Sequence, residues 1–563
     1  EAEAVPDLEY RLQKHLEILY GAGDHSELAL ELIGAMGLNR GCVAPPPHVN
    51  HWDESDNILI TYGDSLVDGD ETPLKTLHRA LRHYLQGTIT GVHILPFFPF
   101  SSDDGFAVMD YLQVNPAVGA WDDIRAIAGD FRLMSDLVLN HASSHSRWFD
   151  NYKQRVDPGK DYFVEADPAA DVSAVVRPRN LPLLNEVQTA DGPRHVWCTF
   201  SADQVDLNFA NPKVLVEFAH IIRHYLENGV ELFRMDAVAF LWKEAGTPCV
   251  HLQQTHEIIK LYRTLIEHHT ERALVITETN VPNLENLTYF GNGNEAHLIY
   301  NFSLPPLLLY AMVEGDCQPL KNWMISMPAP QAGTAYLNFI ASHDGIGLRP
   351  LDGLLRQQDI DRMLDFMRDC GGRITMRKAR EGYDKPYEIN IALYDAMQGT
   401  IDGGRDAYQQ DRFVCAHAVM MALAGVPAFY IHSLLATEND YAQVEKTGRS
   451  RSINRHVWKE AELRRAMQDE NLHHRRIYER LTRLIDIRSA QPAFHPNATQ
   501  FTMHLGAHIF AFWRQSLDRS QSIVCLFNVT REKQCVPVSE INLPGDGQWR
   551  DLVAGGDYSD QKD

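Results

Sequence analysis

Eight short apolar runs, rich in β-branched and aromatic residues, recur along the chain between longer helix-patterned stretches. They read NILITY (57–62), GVHILPF (91–97), LMSDLVLN (133–140), VELFRMDAV (230–238), LVITETN (274–280), HLIYNF (297–302), AYLNFIASHD (335–344) and VPAFYIHS (426–433). Strands that alternate with helical segments are the signature of parallel β/α units. Eight such units predict an α/β chain closed into a (β/α)8 barrel.

The rest of the chain sorts itself around that barrel. Residues 1–50 read as a helical extension, with Leu8, Leu12, Leu16 and Leu19 on one face. Ser26 is positioned to cap a second helical segment carrying Leu28, Leu32 and Ile33, and Pro45-Pro46-Pro47 reads as a linker. The barrel then takes 51–141, 206–349 and 411–490. Two gaps are too long for one helix: an inserted domain at 142–205 after the third strand, and a second insertion at 350–410 after the seventh. Both hang from C-terminal strand ends, where barrel enzymes build their sites. From 491 to 563 alternating runs (HIFAFW, SIVCLFNV) predict a small antiparallel β domain.

Charge narrows the function. With 52 basic and 75 acidic residues the chain carries a formal charge of −23, which repels polyanions, so neither nucleic acid nor an anionic membrane is an expected partner. No stretch approaches the roughly 20 apolar residues of a membrane span. The acidic start, Glu1 to Asp7, lacks the form of a signal peptide. The eight cysteines are scattered, and several lie in apolar runs; buried free thiols in a reducing cytoplasm are expected. Neither a zinc-protease HExxH nor a phosphate-cradling GxxxxGK[ST] occurs.

Four polar clusters end predicted strands: Asp136/Asn140/His141, Arg234/Asp236, Glu278 and His343/Asp344. A single aspartate at a strand end is usually a cap or an ion-pair partner, and Asp136 alone is read so. Four clusters at one rim are harder to explain structurally. Glycoside chemistry needs one ionised carboxylate to attack the anomeric carbon and one protonated carboxyl to release the leaving oxygen. The fourth and fifth strands supply Asp236 and Glu278. Arg234 lies two residues before Asp236, on the same strand face, where it can keep that carboxylate ionised. Asp344 is a third carboxylate suited to sugar hydroxyls and developing positive charge.

FRMDAV, ITETN, ASHDG and DLVLNH resemble the four signature regions of the α-amylase superfamily, glycoside hydrolase family 13. GVHILPFFPFSSDDGF, RPRNLPLL, VDLNFANP, WKEAGT, SLPPLLL, SHDGIG and SINRH resemble its sucrose phosphorylase branch, over about residues 50–490. The helical block, HWDESD, ETNVPNLENLTYFGNGNEAH and AFHP are more similar still to the glucosylglycerate phosphorylases of that branch. The resemblance implies Asp236 as nucleophile, Glu278 as general acid/base and Asp344 as transition-state stabiliser. It implies a one-glucose pocket lined by Asp103, Phe106, His141, Phe200, Arg234, His343 and Arg455. It also implies a phosphate and acceptor side with Arg179 and Tyr387, joined by the candidates Lys243 and Lys385. Sucrose phosphorylases carry a tyrosine where this chain has Phe240, and a histidine where it has Asn280. Both positions adjoin the acceptor, so the acceptor implied is glycerate rather than fructose.

The expected activity is reversible phosphorolysis of 2-O-α-glucosylglycerate to α-glucose 1-phosphate and glycerate, by double displacement with retention. Phosphate is a co-substrate; no metal or organic cofactor is expected, and the resemblance suggests a homodimer. The neighbouring alternatives are sucrose or glucosylglycerol phosphorolysis, and an α-glucoside hydrolase or transglucosidase that makes no use of phosphate. A non-catalytic amylase-like subunit would be expected to have lost part of the carboxylate trio or to carry a membrane anchor.

Overall fold

The computed structural model describes residues 4–46, 48–378, 383–541 and 547–559. Its centre is the expected closed barrel of eight parallel strands in sequential order. They are β1 (Ile58–Thr61), β2 (Gly91–Ile94), β3 (Arg132–Val138), β4 (Val230–Asp236), β5 (Leu274–Thr277), β6 (Leu298–Tyr300), β7 (Ala335–Asn338) and β8 (Val426–Tyr430). β1 closes the ring by pairing with both β2 and β8, Ile58 facing Gly91 on one side and Ala428 on the other. Most of the strands are buried along their whole length, as expected of a parallel sheet with a filled interior and a coat of helices.

Each strand stops before the apolar run that announced it. β5 ends at Thr277 and β7 at Asn338, so Glu278 lies one residue, and Asp344 six, beyond their strands. Residues 278–280 and 339–344, beyond these two strands, line a pocket.

The N-terminal helices α1 (Ala4–Tyr20) and α2 (Ser26–Ala35) pack on the outside of the barrel, with Leu8, Leu12 and Leu16 fully buried. His15 ties α1 to the barrel helix Gln253–His269 through Glu257 at 2.5 Å and Thr264 at 3.1 Å. Ser26 is the first helical residue rather than the cap; His25 precedes it and makes no side-chain cap. Of the expected linker, Pro47 lies outside the described residues.

The segment after β3 forms the helix Arg147–Gln154 and a hairpin pairing Leu184–Thr189 with Gly192–Trp197. His141–Ser143 and Gln204–Asp206 pair antiparallel at its base. The segment after β7 supplies Arg373–Lys378 and Asp384–Asn390, which join Ile346–Gly347 in a three-stranded sheet. Three antiparallel strands, Thr499–Thr502, Ile509–Gln515 and Ser522–Asn528, build the C-terminal unit. Among the described residues no helix is long and apolar enough to cross a membrane. All eight cysteines are free, and Cys198, Cys249, Cys317, Cys370 and Cys525 are buried.

Candidate active site

The barrel mouth opens into a pocket lined by Asp236, Glu278 and Asp344. Beneath them lies a buried charge relay. Arg234 donates to Asp136 and, at 2.8 Å, to Asp236 Oδ1, while its second nitrogen stands 4.0 Å from Glu278. Asp136 also accepts from His93 at 2.7 Å. Both Asp136 and His93 are fully buried, so Asp136 anchors the arginine that serves the two reactive carboxyls.

Ala237, immediately after Asp236, has φ +50°, an uncommon conformation for a residue with a Cβ. The turn aims its N–H at Glu278 Oε2 at 2.9 Å, fixing the second carboxyl against the strand of the first. Backbone strain of this kind costs about 1–3 kcal/mol and clusters at functional sites.

Burial pushes Asp236 and Glu278 up from the ordinary carboxylate range, Asp236 strongly, with Arg234 pulling both down. Two neighbouring carboxyls that resist ionising together hold one proton between them. Asp236 is the more strongly raised of the two, while the direct Arg234 bond favours its ionised form and the Ala237 N–H favours that of Glu278. Asp344 is held differently. Burial would raise it, but Arg451 (2.7 Å), His343 and Arg455 outweigh burial and keep it well below its usual range.

On the closed side, Phe106 stacks on His343 with ring centroids 5.4 Å apart, and Phe200 lies 5.3 Å from His141. Burial pushes His343 down to about 3 and lowers His141, so both imidazoles are neutral donors or acceptors near neutral pH. Asp103 accepts from Gln204 at 2.9 Å and lies 3.6 Å from Arg179. Burial would raise Asp103; Arg179 and Arg451 outweigh it and leave the carboxyl below its ordinary value. On the outer side Phe240, Asn280, Tyr387 and Arg179 line the pocket.

Four expected site residues stand elsewhere. Arg234 lies behind the lining, held by Asp136 and Asp236. Arg455 is taken by Asp104 and the His343 carbonyl, below the sugar-facing surface. Lys243 does not line the pocket: its ammonium is buried among Asp206 Oδ2 (2.7 Å), Asn140 Oδ1 (2.8 Å) and the Phe240 carbonyl (2.6 Å). Lys385 points to Asp352 at 3.5 Å, away from the pocket. Among the described residues no group of three or more His, Cys, Asp or Glu is arranged to hold a metal ion.

Sequence reasoning missed Gln204, Arg349, Arg377, Glu388 and Arg451, all of which line the pocket. Arg451 forks onto Glu388 at 3.0 and 2.7 Å as well as binding Asp344. Its place four residues before Arg455 in RSRSINRH, and that of Arg349 just after SHDGIG, were the available signals.

The pocket therefore joins a proton-sharing carboxyl pair to several guanidinium groups, an arrangement able to transfer a glycosyl group between anionic partners. Residues 68–345 match the family model for the α-amylase catalytic domain. The chain is 45% identical to a glucosylglycerate phosphorylase from Spirochaeta thermophila, over 89% of this chain and 86% of that one. It is 29% identical to a sucrose phosphorylase from Agrobacterium vitis, over 83% of this chain and 94% of the relative. The crystal structure of sucrose 6F-phosphate phosphorylase from Thermoanaerobacter thermosaccharolyticum superposes with a TM-score of 0.73 at 26% identity, covering 84% and 94% of the two chains. This chain belongs to the α-amylase family of glycoside-active enzymes, in the group formed by the glycoside phosphorylases.

Proposed function

We propose that the protein is a retaining glycoside phosphorylase that converts 2-O-α-glucosylglycerate and phosphate into α-glucose 1-phosphate and glycerate, reversibly. The observation that carries this reading is the company kept by the carboxyl pair. Arg179, Arg349 and Arg377 line the same pocket as Asp236 and Glu278. A hydrolase delivers neutral water there; a phosphorylase acting on a glycerate glucoside must hold two anions in turn. The relative from Spirochaeta thermophila, with its higher identity than the sucrose phosphorylase, supports glycerate as acceptor.

In the first half-reaction Asp236 attacks the anomeric carbon while Glu278 protonates the departing glycerate oxygen, leaving a β-glucosyl ester on Asp236. Asp344 and Asp103 face the sugar hydroxyls. In the second, a hydrogen phosphate oxygen attacks the same carbon from the side glycerate left, its proton returns to Glu278, and the Asp236 ester bond breaks. Two inversions give net retention. Phosphate is a better nucleophile than water at neutral pH without strong base assistance, so positioning by cations supplies most of what this step needs. The reaction calls on no cofactor besides phosphate.

The unpaired cysteines favour a reducing compartment, the cytoplasm, for this activity. The family resemblance suggests a homodimer, which a doubled mass in solution would reveal. The test of function is α-glucose 1-phosphate release from glucosylglycerate, sucrose and glucosylglycerol in parallel. Preference for glucosylglycerate is expected; equal or faster turnover of either other substrate would overturn the assignment of the acceptor.

A further inference from the structure

Of the four arginines that line the pocket among the described residues, Arg451 is held by Asp344 and Glu388, and the other three differ in what they already hold. Arg179 stands 3.6 Å from Asp103 and over the Phe200 ring. Arg377 lies over the ring of Tyr387. Arg349 has no such companion: among the described residues no carboxylate stands at ion-pair distance from it. Burial lowers its pKa; Glu285 opposes this by more than Arg377 adds to it, and Tyr387 and Asp352 oppose it less. A cation that has lost water without gaining a counter-ion is costly to keep, and an anionic ligand relieves that cost.

The chain path puts Arg349 on the leaving-group side. It begins the short turn Arg349–Leu351, two residues after the Ile346–Gly347 strand. Gly347 presses against Asn280 so closely that a Cβ there would lie 2.9 Å from the Asn280 amide nitrogen. Asn280 follows the expected acid Glu278 by two residues, and its Oδ1 is buried with no hydrogen-bond partner. An uncompensated cation and an unpartnered acceptor thus flank the region where the aglycone departs.

Glycerate has complementary groups. Its C2 oxygen forms the glycosidic bond, its carboxylate sits one carbon to one side, and its C3 hydroxyl one carbon to the other. We propose that Arg349 is the residue that selects the acceptor, binding the carboxylate of a small 2-hydroxycarboxylate whose glycosidic oxygen lies on the Glu278–Asn280 side of the pocket. This rests on the reading that the protein uses glycerate. Glycerol, with the same carbons but a hydroxymethyl in place of the carboxylate, gains nothing from Arg349.

The test compares glycerate with glycerol as acceptors for α-glucose 1-phosphate, using the intact chain and the variants Arg349→Gln and Arg349→Lys. A charge-assisted hydrogen bond to a carboxylate is worth about 10- to 150-fold in binding. The ratio of kcat/KM for glycerate to that for glycerol should therefore fall by about 100-fold in R349Q and recover in part in R349K. That ratio is internal to each sample, so it is independent of the folded fraction. An unchanged ratio in R349Q, with the parent protein active on glycerate, overturns this assignment and leaves the proposed function standing. So does a raised KM for phosphate without a change in the ratio. A parent protein inert toward glycerate overturns both.

Discussion

Arg451 is the cation shared by two pocket carboxylates, and replacing it by glutamine has a consequence that can be worked out. It donates to Asp344 at 2.7 Å and, as a fork, to both Glu388 oxygens at 3.0 and 2.7 Å. Removing one partner of a buried pair costs about 3–5 kcal/mol, because the other charge is left uncompensated. Asp344 keeps 27% of its side chain open to the pocket, which places the expected cost at the low end, about 3 kcal/mol. At about 2.1 cal/mol/K of unfolding entropy per residue, a chain of 563 residues converts that into a Tm lower by about 2.5 °C. The pH dependence is more diagnostic than the size. Burial would raise Asp344, and Arg451 leads the groups that hold it below its ordinary range. A carboxyl held low in the folded state stabilises the fold above its unfolded pKa of about 3.9, and that stabilisation is lost as pH falls through the folded value. In R451Q burial faces less opposition, the folded value rises, and the Asp344 contribution shrinks or turns destabilising as pH increases. The Tm gap between parent and variant should therefore be smallest at about pH 2, nearest the parent's folded value, and widen as pH rises through the variant's folded value toward about pH 7. Thermal unfolding followed by calorimetry across that range measures it. A gap of equal size at both ends would refute the assignment of Arg451 as the counter-ion of Asp344.

Three further outcomes follow from the same geometry. Glu278→Gln should lose about 10²- to 10⁴-fold in kcat/KM on glucosylglycerate. It should lose much less on α-glucosyl fluoride, whose leaving group departs without a proton; equal losses would exclude Glu278 as the acid. Arg179→Gln should raise the KM for phosphate by about 10- to 150-fold, and an unaltered KM in steady-state kinetics would remove Arg179 from the phosphate site. Lys243→Met should cost about 3–5 kcal/mol in denaturant unfolding, because buried Asp206 loses its cation. A raised phosphate KM at unchanged stability would return Lys243 to the anion site.

How much of this was visible in the residues themselves depended on whether the signal was local. The eight strands could be read because burial in a parallel sheet makes each run continuously apolar. Asp236 and Glu278 could be read because a charge at the end of such a run has one place to go, the barrel rim. Partners drawn from distant segments could not. Lys243 reads as a candidate anion-binding lysine in WKEAGT; only folding brings Asp206 to 2.7 Å and Asn140 to 2.8 Å from its ammonium. Lys385 and Tyr387 would share a face of a regular strand, but the register of Asp384–Asn390 shifts between Pro386 and Glu388, and Asp352 takes the lysine. Arg451 and Arg349 passed unremarked for the converse reason. Nothing nearby in sequence marks an arginine as buried or as lacking a counter-ion. The left-handed turn at Ala237 was equally hidden, since alanine carries no signature of φ +50°.

The most direct test of the account is to trap the covalent intermediate. The protein is incubated with 5-fluoro-α-glucosyl fluoride, which forms a glucosyl-enzyme but slows its breakdown, and the labelled peptide is identified by mass spectrometry. The account predicts one sugar per chain, on Asp236, released as a glucose 1-phosphate analogue far faster with phosphate than in buffer alone. A label on any other residue would contradict the assignment of the nucleophile. A label on Asp236 that water releases as fast as phosphate does would contradict the phosphorylase itself.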